Sequence, residues 1–205
     1  MTHLILPNNE WQPLTFYLAT EEVAALRFNE ECFFTWVVKP TVIFGRNQMI
    51  DNEVSIQFCN DNGIEIVQRK SGGGCVYADE GNIMMSYITP IGNSTTEEIF
   101  AKYLNMVAST IGKLEGLAGK IVTTTHNDIL LNGKKISGNA LYLTPDKRHA
   151  IVHGTLLHST NIERMERAIT PSAEKLASKG VASVRQRVMN LSTGIEKTSN
   201  RQHLR

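Results

Sequence analysis

Residues 127–157, N-D-I-L-L-N-G-K-K-I-S-G-N-A-L-Y-L-T-P-D-K-R-H-A-I-V-H-G-T-L-L, read as three strands joined by two tight turns. The runs 127–131 and 135–143 flank Asn132-Gly133, the dipeptide that supplies positive φ in a hairpin turn. Pro145-Asp146 marks the next turn, before a strand over 148–157. Strands joined by turns rather than crossovers pair antiparallel.

Upstream, 33–38 (F-F-T-W-V-V), 41–44 (T-V-I-F), 64–68, 74–78 and 82–89 add five short apolar runs. Helical periodicity separates them. Residues 15–28 predict a helix with Leu18, Ala19, Val23 and Leu26 as its buried stripe. A shorter helix over 52–61 stops at Asn62-Gly63. Over 97–114, Ile99, Tyr103, Val107, Ile111 and Leu114 share a face, and Thr95 with Glu98 forms a capping box. Residues 161–191 read as short helical pieces and 192–205 as a polar, frayed tail. The expected fold is α+β, a mostly antiparallel sheet packed by helices, in a single domain over 1–205.

At 205 residues and 22.8 kDa, folding buries about 70% of the chain's surface, so the core needs no disulfide or metal. Cysteines 32, 59 and 75 are odd in number and lack CxxC spacing, which fits a reducing compartment. No leader and no run of 18 apolar residues is visible, so a soluble cytoplasmic protein is expected, away from the membrane. A net charge of +1 argues against non-specific nucleic-acid binding. Residues 1–100 nevertheless carry 5 Lys and Arg against 13 Asp and Glu, and 101–205 carry 16 against 7. Either the basic half holds a phosphate-bearing ligand or an acidic protein, or the fold interleaves the two halves.

Three segments carry chemistry. In R-K-S-G-G-G-C-V-Y-A-D-E-G-N (69–82), three successive glycines suit no packed strand or helix. They free backbone N–H groups for an anion beside Arg69 and Lys70, or they make a flexible turn. In 134–140, strand alternation points one of Lys134 and Lys135 inward. Asp128, seven residues before Lys135, is a candidate metal contact or orienting group, or a strand-end cap. His153-Gly154 is a core pair or a place where the backbone comes close to a ligand.

Together these segments resemble the lipoate–protein ligases of the biotin/lipoate ligase superfamily. The resemblance runs through W-V-V-K-P-T-V-I-F-G-R-N-Q (36–48), N-E-V (52–54), the glycine segment (69–82), N-D-I (127–129), K-K-I-S-G-N-A (134–140), H-G-T-L-L (153–157) and V-R-Q-R-V-M-N-L (184–191). It implies a catalytic domain like those of class II aminoacyl-tRNA synthetases and biotin ligases. It also implies a two-step reaction: lipoate and ATP form lipoyl-adenylate with Mg²⁺, and a lysine of an apo lipoyl domain then takes the acyl group. Acceptors would be the lipoyl domains of 2-oxoacid dehydrogenases and the glycine cleavage H protein.

By the same resemblance, Lys135 is the catalytic lysine. Arg69, Ser71, Gly72, Gly73, Gly74, Val76, Asn82, Asp128, Ile136, Gly138, His153 and Gly154 line the lipoate and adenylate site, with Leu156 beside its apolar slot. Asp128 is the Mg²⁺ contact. This chain has Ala78-Asp79 where the family has His-Asp, and Gln68-Arg69 where it has two arginines. Typical members also carry a small C-terminal domain, so a separate accessory domain is an expected partner. Two alternatives stand beside the ligase: an octanoyl or lipoyl transferase using Cys75 as nucleophile, and a lipoate- or adenylate-binding subunit inactive alone. Biotin ligation fits less well, because Ser-Gly-Gly-Gly stands where a Gly-Arg-Gly-Arg loop is usual.

Overall fold

The computed structural model describes residues 1–6, 11–125, 127–169 and 187–195. In chain order the elements are β1 (Thr2–His3), α1 (Leu14–Arg27), β2 (Cys32–Trp36), β3 (Thr41–Phe44), α2 (Ile56–Asp61), β4 (Glu65–Gln68), β5 (Val76–Ala78) and β6 (Asn82–Pro90). They continue with α3 (Thr96–Gly112), β7 (Ile121–Thr123), β8 (Asp128–Leu131), β9 (Lys134–Leu143), β10 (His149–Leu157) and α4 (Ile162–Ala168). A short 3₁₀ turn at Ile50–Asn52 precedes α2.

The fold is α+β, as expected, but it contains two sheets. Seven strands run in the order β1-β2-β6-β10-β9-β8-β7, antiparallel except for β1 with β2. A second sheet, β4-β3-β5, has a parallel β3–β4 pair that the turn-based reading did not foresee. β1 and β7, of two and three residues, are too short for periodicity to reveal.

Strand alternation gives the large sheet two apolar faces. Met85 and Tyr87 of β6, with Ala150 and Val152 of β10, meet Ile99, Tyr103, Leu104, Val107 and Ile111 of α3. Met84 and Ile88 of β6, with Ile151 of β10, meet Leu14, Tyr17, Ala24 and Ala25 of α1. Helix α3 begins with the expected capping box, Thr95 Oγ1 accepting from Glu98 N while Glu98 caps Thr95 N.

Two readings are corrected. Helix α1 buries Leu14, Tyr17, Glu21, Ala24 and Ala25, whereas Val23 and Leu26 are exposed. Of the expected stripe, Ala19, Val23 and Leu26 are turned out while Leu18 stays half-buried against the core, because Tyr17 stacks on Trp36, at 4.5 Å between centroids, and Glu21 finds buried partners. The second concerns the C-terminal segment. Val188 bridges to Lys135, and residues 191–195 form a helical turn that buries Leu191, so this part is neither purely helical nor frayed. The readings of 170–186 and 196–205 lie outside the described residues, as do the first three residues of the V-R-Q-R match. The acidic and basic halves do not interleave in the sheets: β1, β2 and β6 come from the first half and β10, β9, β8 and β7 from the second, and they meet at the single β6–β10 seam.

Candidate active site

A cavity of about 270 Å³ opens where the C-terminal part of the large sheet meets the small one. Its apolar wall includes Leu14 and Leu18 of α1, Trp36, Ile43, Val76 and Met84. Its polar rim includes Arg69, Gly73, Asn127, Asp128, Lys135 and Asn139.

Lys135 owes its orientation to a β-bulge. In the β8–β9 ladder Ile129 faces Ser137 but Leu130 faces Lys135, so Ile136 has no partner. The extra residue breaks strict alternation and brings Lys135 to the face of Asp128 and Gly138. There Lys135 Nζ lies 2.8 Å from Asp128 Oδ1. A Cβ on Gly138 would sit 2.8 Å from that same Nζ, so the glycine makes the room. Met189 N donates to Lys135 O at 3.0 Å and anchors the backbone beyond the end of β10. Lys134 points away and is exposed.

Arg69 is 6% exposed and spends its donors on the protein itself. Nε donates to Ser71 Oγ (3.0 Å), Nη1 to Ile43 O (3.1 Å), and Nη2 to Gly72 O (2.7 Å) and Gly74 O (2.8 Å). The glycine segment is thus a braced loop rather than a slack turn. A Cβ on Gly45 would strike Gly73 O, so G-R-N-Q packs tightly behind it. Burial draws the Arg69 pKa down from its ordinary value, but an arginine stays charged.

Behind the loop runs a buried polar chain. Ser71 Oγ lies 2.7 Å from His153 Nε2, and His153 Nδ1 lies 3.2 Å from Glu21 Oε2. Ser86 Oγ donates to Glu21 Oε1 at 2.6 Å and accepts from Trp36 Nε1 at 2.8 Å. With Nδ1–H donated to Glu21 Oε2, Nε2 of a neutral His153 is left to accept from the Ser71 hydroxyl. Sequence reasoning missed Glu21, Ser86 and Trp36. The available signal was a glutamate on the i, i+3, i+7 stripe of Leu14, Tyr17 and Glu21.

Arg69, Gly73, Gly74, Val76, Asp128, Lys135, Gly138, His153 and Gly154 of the expected set border this cavity. Ser71 borders a neighbouring cavity that shares Leu18, Arg69 and His153. Gly72 contributes its carbonyl to Arg69. Three residues stand elsewhere. Asn82 is fully buried at the start of β6, donating to Tyr77 O at 3.0 Å and accepting from Thr160 Oγ1. Ile136, the bulged residue, and Leu156 point into the core under α3. Asp79 Oδ1 and Oδ2 cap Gly81 N and Asn161 N, so the Ala78-Asp79 pair serves a turn.

Cys75 borders the cavity, but burial pushes its thiol up to about 12, against a smaller opposing pull from Arg69. Among the described residues no three His, Cys, Asp or Glu side chains cluster to hold a metal. Asp128 alone suits a Mg²⁺ that takes its other ligands from phosphates and water. No described helix is long and apolar enough to cross a membrane.

A family model described as the lipoyl protein ligase A/B catalytic domain matches residues 13–204. Over 191 residues the chain is 34% identical to the lipoate-protein ligase LplJ of Bacillus subtilis, covering 92% of this chain and 56% of that protein. It is also 34% identical over 189 residues to lipoate–protein ligase 1 of Staphylococcus aureus, covering 91% and 56%. The chain therefore spans about half the length of the curated relatives it matches. Its fold resembles a crystal structure of lipoate-protein ligase A bound with ATP, at TM-score 0.72 and 22% identity, covering 94% of this chain and 76% of that one. It resembles equally the bipartite lipoate protein ligase studied with its E2 lipoyl domain from Thermoplasma acidophilum, at TM-score 0.72 and 24% identity, covering 97% and 83%.

Proposed function

The chain belongs to the lipoyl protein ligase A/B catalytic-domain family, and on that premise we propose that it attaches lipoate to a lysine of lipoyl domains, using ATP. The observation that carries the reading is Lys135, held by Asp128 and Gly138 at the rim of a cavity with an apolar wall and a braced glycine loop. In the first step a lipoate carboxylate oxygen attacks the α-phosphorus of ATP, and pyrophosphate leaves. Negative charge builds on the α-phosphate oxygens, and Lys135 Nζ is the cation that offsets it. Leu14, Leu18, Trp36, Ile43, Val76 and Met84 would take the dithiolane and alkyl tail. In the second step the acceptor's ε-amine attacks the acyl carbon, AMP leaves, and the amine loses its proton. A Mg²⁺ held by Asp128 would supply further charge to the phosphates.

The acceptors are the apo lipoyl domains of 2-oxoacid dehydrogenases and the glycine cleavage H protein. A separate accessory domain would help activation, and residues 1–205 act as one catalytic domain. A transferase acting through Cys75 would need a thiolate, and burial holds this thiol protonated. The test is to incubate the chain with an apo lipoyl domain, lipoate and ATP, and to read the acceptor's intact mass. Lipoylation that needs ATP, or preformed lipoyl-adenylate in its place, supports the ligase. Acylation from an acyl carrier protein without ATP would replace it with the transferase.

A further inference from the structure

Asn139 lies on β9 directly opposite Gly154 of β10. A Cβ on Gly154 would collide with the Asn139 amide and would lie 2.5 Å from the buried Tyr103 hydroxyl. The glycine thus opens a slot that the asparagine fills. Within it Asn139 Nδ2 donates to Asn127 O at 2.8 Å, and Oδ1 lies 3.3 Å from the Ser137 hydroxyl, which donates to it. The carbonyl acceptor fixes which way the amide points.

Asn127 has φ +65°, a left-handed backbone at the residue just before Asp128. Non-glycine residues hold that conformation only when neighbours fix it, and asparagine is among the few that tolerate it. On the other side, Thr124 Oγ1 accepts from Asp128 N at 3.2 Å, and Thr124 N donates to Asp128 O at 2.9 Å. The backbone entering Asp128 is therefore held at two points, and Asn139 supplies one of them from the neighbouring hairpin strand.

We propose that Asn139 is a positioning residue: its amide fixes the left-handed turn at Asn127 and so sets the Asp128 carboxylate against Lys135. Sequence position hides this link, because twelve residues separate donor from acceptor. Its kinetic consequence rests on the ligase reading, whereas its geometry does not.

The test combines structure and kinetics. Asn139→Ala should crystallise with Asp128 Oδ1 more than 4 Å from Lys135 Nζ. Lipoate-dependent pyrophosphate exchange should fall about 10²-fold in kcat, the cost of a small misplacement at a reacting centre. In an Asp128→Asn background the same substitution should cost less than about twofold, since the group through which it acts is gone. Should Asn139→Ala fail to fold, Asn139→Asp carries the same measurements, filling the space without the N–H donor. An unchanged ion-pair distance, or losses that multiply in the double variant, overturns the proposal. If the wild-type chain shows neither exchange nor transfer from preformed lipoyl-adenylate, the ligase reading fails, and the crystallographic distance alone decides the role of Asn139.

Discussion

Lys135 and its neighbour Lys134 offer a controlled comparison, since one faces the cavity and the other solvent. Lys135→Ala should lower adenylate formation by roughly 10²–10³-fold with the fold intact, as removal of one preorganised charge does elsewhere. Lys134→Ala should cost less than about threefold in the same pyrophosphate-exchange assay. Cys75 gives a prediction in pH. Its buried thiol holds its proton more tightly than the unfolded chain's, with an ordinary value of 9.0 raised to about 12. Stability is therefore full below pH 9 and declines from there toward pH 12. Urea unfolding should show that decline, and Cys75→Ala should make it shallower, the remainder coming from Cys32, Cys59 and the tyrosines that burial also keeps protonated. Cys75→Ser should keep most ATP-dependent lipoylation and form no acyl adduct. At this scale the sequence led to Lys135 through the family pattern, and the structure places that lysine on the cavity; alternation alone could not choose it over Lys134, since a bulge sets the face. Asn82 misled, because a polar residue in a family segment also serves to close a buried turn.

Helix α1 and the β8–β9 hairpin show what a period can and cannot reveal. The pattern at 18, 19, 23 and 26 reads as a buried stripe of a helix over 15–28, and the helix forms over Leu14–Arg27. Which face turned inward was decided by contacts distant in sequence: Trp36 for Tyr17, and Ser86 and His153 for Glu21. Glu21→Ala should leave the Ser86 and His153 donors without an acceptor and cost about 3 kcal/mol, a fall in Tm of roughly 6–12 °C. Val23→Ser and Leu26→Ser, on the exposed face, should change stability by less than about 0.5 kcal/mol in the same melts. The hairpin was legible from Asn132-Gly133, both of which have positive φ. Its bulge was not, because an extra residue leaves no mark on composition. Yet the bulge puts Lys135 and Gly138, three apart, on one face of the strand.

Across the whole molecule, the two sheets enclose the apolar wall, while the cavity's rim comes from β8, β9, β10 and the glycine loop. On the ligase reading, acyl transfer needs the apolar wall, Lys135 and an open mouth, and all three lie within these residues. Activation also needs a triphosphate oriented in line with a carboxylate and water kept out. A polypeptide of these 205 residues should therefore transfer from preformed lipoyl-adenylate at least tenfold faster than it makes that adenylate. Comparable rates in intact-mass assays would show that closure from outside is not needed. The loop around Gly72–Gly74 bears on both steps. An unbraced run of glycines would have to be ordered when ligand arrives, at about 1–2 kcal/mol per residue. Arg69, through its bonds to Gly72 O, Gly74 O, Ile43 O and Ser71 Oγ, orders it during folding instead. The conformational entropy is then lost once, when the chain folds, and each arriving ligand meets a loop already in shape.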